Sequence, residues 1–114
     1  MLRQREVRAI KVFAALAALL SVCGLARGAV DATVSQKGRM FNPLSIDITK
    51  GAGLVIVNDD GDLLHHAYVE SDEFNFDSGD QKPGSRTRIV FPVVGDFKVL
   101  CGIHPKMKLV VHVH

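Results

Sequence analysis

Cys101-Gly102-Ile103-His104-Pro105-Lys106-Met107 sets a thiol, an imidazole and a thioether three residues apart in one tight segment. The run before it places Phe97, Val99 and Cys101 on one face by period-two alternation. The run after it does the same with Met107, Leu109, Val111 and Val113. Both flanking runs read as strands, both sulfur residues are in phase with their apolar sides, and His104 lies on the loop between. A thiolate and a thioether beside an imidazole form a soft ligand set, which suits copper far better than calcium, magnesium or manganese.

A second imidazole is available at His65-His66, ahead of Ala67-Tyr68-Val69. Adjacent strand residues point to opposite sides of a sheet, so the two histidines do not readily enter one site. Ala67 and Val69 continue the face of His65, whereas His66 is in phase with Tyr68 and Glu70. The phase selects His65 unless a bulge shifts the strand by one residue, in which case His66 takes its place. The expected ligands are His65, Cys101 and His104 in a trigonal arrangement with Met107 as a weak axial donor, the pattern of a blue-copper electron-transfer site. The second ring nitrogen of His65 is expected to be held by an acceptor or a water, which fixes the tautomer.

The same residues carry a resemblance. Asn58-Asp59-Asp60, the histidine at a strand start, Phe76-Asp77-Ser78-Gly79, Phe91-Pro92-Val93-Val94-Gly95-Asp96-Phe97 and the Cys-x-x-His-x-x-Met loop resemble the cupredoxin superfamily over roughly residues 34–113, the small plastocyanin- and amicyanin-like proteins above all. That resemblance implies an all-β, Greek-key β-sandwich of the cupredoxin type with six to eight strands, some pairing in parallel. It also implies an Asn directly after the first ligand histidine, tying the two ligand loops together; this chain has His66 there.

The 114 residues, 47% of them apolar, make one domain at most. Residues 1–28 read as a secretory signal peptide: Arg3, Arg5, Arg8 and Lys11 precede an apolar stretch from Val12 to Ala26, and Ala26-Arg27-Gly28 offers a cleavage site. A cut after Ala32 is the alternative. The stretch is short for a membrane span, which takes about 20 residues, and Val22 does not suit lipidation of Cys23. Stable membrane insertion is not expected. The remaining domain, 29–114, holds 9 Lys and Arg against 11 Asp and Glu, so the formal charge passes from +2 to −2. No basic footprint for nucleic acid survives. Cys101 is then the only cysteine, and a lone thiol in an exported protein calls for a reason to persist, which metal ligation supplies.

Along that domain, Ala32 to Lys37 reads as a weak strand, Met40 to Pro43 as a loop, Leu44 to Ile48 as an alternating strand and Leu54 to Val57 as a central one. Asn58 to Asp62 reads as a solvated acidic turn; Leu63 stands where a calcium-binding EF-hand loop needs Gly. Ser71 to Gly84 reads as polar and turn-rich, anchored by Phe74 and Phe76, and Arg86 to Phe91 as a strand. His112 and His114 fall on the outward face of the last strand. Six or seven short strands between frequent turns predict a β-sandwich.

The function expected from these residues is that of a monomeric, non-enzymatic periplasmic protein cycling one copper ion between Cu(II) and Cu(I). Redox partners are expected to dock near His104, over an apolar patch from Met40 to Pro43. The alternative is a periplasmic copper chaperone or storage protein. Structural zinc fits poorly because a thioether is a weak zinc donor. Cys–His nucleophilic catalysis lacks a visible oxyanion-stabilising constellation.

Overall fold

A computed structural model describes residues 30–114. Those residues form nine strands: β1 (Ala32–Gln36), β2 (Phe41–Asn42), β3 (Ser45–Ile48), β4 (Gly53–Asn58), β5 (His65–Val69), β6 (Phe76–Gln81), β7 (Arg86–Val90), β8 (Gly95–Cys101) and β9 (Lys108–Val113). Among them there is no helix. The expected leader, residues 1–28, lies outside the described residues.

Two sheets face each other, in the orders β2-β1-β4-β7 and β3-β9-β8-β5-β6. β1 runs parallel to β4 and β3 parallel to β9, and the other pairs are antiparallel. Alternation in sequence becomes alternation in burial. Phe97, Val99 and Cys101 of β8 and Leu109, Val111 and Val113 of β9 point into the space between the sheets, where they meet Val34, Leu54, Ile56 and Ile89. Burying each such aliphatic side chain contributes roughly 1.5–3 kcal/mol.

Two segments differ from the sequence reading. Phe41-Asn42, taken for loop, pairs with β1 as a two-residue strand because buried Phe41 is drawn into the core. The stretch from Ser71 to Gly84 contains β6, the edge strand beside β5. Its sequence, Phe-Asp-Ser-Gly-Asp-Gln, has almost no apolar alternation because much of it faces solvent. Phe74 does act as an anchor, its ring centroid 5.3 Å from Phe91 and 6.1 Å from Phe97. This aromatic group fills one end of the sandwich; the end of β8 and the starts of β5 and β9 meet at the other.

Candidate metal centre

β5 begins with His65 and β8 ends with Cys101, and Ala67 pairs with Cys101 across the two strands. His65 therefore enters the interior at the end of the sandwich where the thiol points. The register between β5 and β6 shifts between His66 and Tyr68: two steps along β5 face three along β6, from Asp80 to Asp77. The extra residue belongs to β6, where Gly79 adopts a positive φ of 64°. Alternation in β5 is unbroken. His65 is fully buried, while the His66 ring lies outside, its Nε2 2.6 Å from Asp77 Oδ1.

The structure brings His65, Cys101 and His104 together, with one donor atom from each within 4.8 Å of the others. Cys101 Sγ lies 3.8 Å from His104 Nδ1, and the two imidazole rings stand 5.0 Å apart, inclined at 63°. Nδ1 of His65 is buried without a hydrogen-bond partner. Leaving such an atom unsatisfied costs about 1–3 kcal/mol, and a metal ion at the cluster would satisfy it. Burial pushes His104 below the ordinary histidine range, helped by the neighbouring His65 and Arg39 and opposed by Asp60. Its neutral, ligand-competent form is favoured. Met107 is 1% exposed, and its backbone N–H donates to the His104 carbonyl at 3.0 Å, closing the ligand loop as a turn.

The segments that carry His65 and Cys101 are tied through the backbone, with the Gly102 N–H donating to the His66 carbonyl at 3.1 Å. Gly102 also lies so close to the His66 ring that a Cβ there would collide with its Nδ1. A side-chain amide after the first histidine is thus not needed for this connection.

The acidic turn expected to be solvated is partly structural. Asn58 is 1% exposed; its Nδ2 donates to the Leu63 and Gln81 carbonyls, and its Oδ1 accepts the Asp60 N–H. Asp60 in turn places Oδ2 2.6 Å from His65 Nε2. Gln81, paired in register with His65, accepts from Gln36 at 2.7 Å and donates to Thr87 at 2.9 Å, which links the two sheets below the cluster. Reasoning from sequence missed Asp60, Gln36 and Gln81. Only the position of an acid five residues before His65 hinted at the first.

At the surface, His104 borders an apolar hollow of about 360 Å³, lined also by Arg39, Ile103, Pro105 and Lys106. The expected Met40–Pro43 lining is not part of it, although Met40 is exposed nearby in sequence and Phe41 is buried. His112 and His114 face solvent as expected, His112 beside Asp96 at 2.6 Å and His114 beside Asp47 at 3.0 Å.

No protein-family model matches the sequence, and no curated protein does. Solved structures do match. A copper-containing nitrite reductase from Thermus scotoductus SA-01 shares 30% identity over 78% of this chain, with a TM-score of 0.69; the chain spans 23% of that reductase. A purple cupredoxin from Nitrosopumilus maritimus is 24% identical over 74% of this chain and all of its own length, with a TM-score of 0.64. Amicyanin from Paracoccus versutus is 20% identical over 74% of this chain and 81% of its own, with a TM-score of 0.67. Residues 30–114 are a cupredoxin-type β-sandwich, with a His–Cys–His cluster at one end whose donors could hold a metal ion.

Proposed function

We propose that the protein is a periplasmic type 1 copper electron-transfer protein, with His65, Cys101 and His104 as the metal donors and Met107 as a weak fourth. One observation carries this reading: the buried His65 ring, whose Nδ1 has no hydrogen-bond partner, converges with Cys101 and His104, one donor atom from each lying within 4.8 Å of the others. A bound copper ion supplies the one-electron Cu(II)/Cu(I) couple. Cys101 would hold the ion through its thiolate, the soft donor of the set. The rigid turn between His104 and Met107, and the strand ends on either side, hold the donors nearly fixed, so little rearrangement accompanies the change of charge.

His104 is the donor nearest solvent, and the hollow beside it is the docking position for redox partners. Arg39 and Lys106 on its wall give that end a cationic rim. The opposite end carries Asp72, Glu73 and Asp96 around a second hollow. Export follows from the basic and apolar leader, with cleavage after residue 28. That cut retains Asp31, which accepts the Gly53 N–H and pairs with Arg88; a cut after Ala32 would delete it together with the first residue of β1.

The test is copper retention during turnover. Copper-loaded protein, reduced and reoxidised repeatedly in the presence of a Cu(I) chelator, is expected to keep its metal through many one-electron cycles. Transfer of Cu(I) to the chelator in the first cycle would make the protein a chaperone instead.

A further inference from the structure

Nε2 of His65 lies 2.6 Å from Asp60 Oδ2, while its Nδ1 is buried without a partner on a ring that belongs to the His–Cys–His cluster. A carboxylate only accepts, so the ring proton sits on Nε2 and the Nδ1 lone pair is free. The carboxylate is itself held. Its side chain is 10% exposed, and Oδ1 accepts the Gly38 N–H at 2.9 Å. Gly38 and Arg39 have φ of 64° and 57°, and Lys37 and Met40 exchange backbone hydrogen bonds around them at 3.0 and 3.2 Å. This is the two-residue hairpin turn joining β1 to β2, and its successive N–H groups form an anion-holding concavity. Among the described residues, the ion-pair partner of Asp60 is His65.

We propose that Asp60 is a positioning residue for the metal centre, fixing His65 as its Nε2–H tautomer and lowering the centre's reduction potential. This rests on the ligand assignment above. A carboxylate bonded to the far nitrogen makes the imidazole a stronger donor, and its fixed negative charge favours the more positively charged oxidised state. Both effects act in one direction. They also give the β1–β2 turn a function, because it keeps that charge in place and carries Arg39 to the rim beside His104.

The experiment compares Asp60→Asn, which keeps an acceptor oxygen but removes the charge, with Asp62→Asn, which removes an exposed charge from the same turn. In the copper-free wild type, nitrogen-15 histidine spectra are expected to show His65 as the Nε2–H tautomer, its ring proton far downfield and slow to exchange. In Asp60→Asn that proton should move upfield and exchange faster. In the copper-loaded proteins, Asp60→Asn should shift the Cu(II)/Cu(I) equilibrium toward Cu(I) by on the order of tenfold or more, with Asp62→Asn changing it far less. An intact thiolate–copper band with the same potential in both variants would overturn the proposal while leaving the ligand assignment standing. So would an Nδ1–H tautomer in the copper-free wild type, a result that needs neither a variant nor bound metal.

Discussion

Cys101 Sγ and His104 Nδ1 stand 3.8 Å apart across a two-residue interval. Donors joined to one ion by bonds of roughly 2.3 Å to sulfur and 2.1 Å to nitrogen, at a trigonal angle of roughly 120°, are about 3.8 Å apart. The protein therefore holds this pair near the spacing of metal-bound donors, by the Met107-to-His104 turn and by the last pairing of β8 with β5.

Cys101→Ser is expected to abolish the intense thiolate charge-transfer band, since a hydroxyl cannot supply the thiolate's covalency. Met107→Leu should keep a thiolate-bound copper and raise the potential, because only the weak donor is lost. The swap is close to volume-conserving, so it should cost under about 1.5 kcal/mol of stability in the copper-free protein. Potentiometry and denaturant unfolding measure the two effects. Loss of copper from Met107→Leu as complete as from Cys101→Ser would remove Met107 from the ligand set.

His65→Ala is expected to collapse the metal site, whereas His66→Asn should preserve it, because the His66 ring points away toward Asp77. Gly102→Ala should disturb the site in the wild-type background, since the new methyl meets the His66 ring. The smaller Asn in His66→Asn/Gly102→Ala should relieve that disturbance. Paramagnetic-resonance spectra of the copper-loaded variants check the set. A site lost in His66→Asn and kept in His65→Ala would reverse the assignment.

His112 titrates above the ordinary histidine value, chiefly through its hydrogen bond to the Asp96 carboxylate. A raised folded-state pKa stabilises the fold below the unfolded value of 6.5 and loses that contribution as pH rises through the folded value. Thermal stability of the copper-free protein should therefore fall slightly as pH rises from just below neutrality. Asp96→Asn should flatten that slope. An unchanged slope would mean that the pair adds nothing to stability.

Arg39 and Lys106 border the hollow at His104, so an acidic redox partner should associate faster at low salt. Arg39→Glu and Lys106→Glu should each slow the bimolecular rate with such a partner and weaken its salt dependence, with the copper spectrum unchanged. Stopped-flow rates against ionic strength decide this. Equal rates in the variants and the wild type would move the docking position elsewhere.

The burial of Cys101 and Met107 was legible because their strands alternate cleanly and announce it through Val99 and Leu109. His65 was legible for the same reason, through Ala67 and Val69. β6 was not, because an edge strand with exposed Asp77, Gly79 and Asp80 carries no apolar period. Asp60 was not, because its role depends on a hydrogen bond to the hairpin turn 22 residues away in the chain. The parallel pairings β1–β4 and β3–β9 could be drawn only from the family resemblance, since strand direction leaves no mark on alternation.

The most direct test of the metal centre is absorption and paramagnetic-resonance spectroscopy of residues 29–114 loaded with one equivalent of Cu(II). The expected result is an intense visible thiolate-to-copper band together with a small copper hyperfine splitting, both lost on one-electron reduction and restored on reoxidation. A weak absorption with the wide hyperfine splitting of copper held by nitrogen and oxygen would contradict a site built on Cys101.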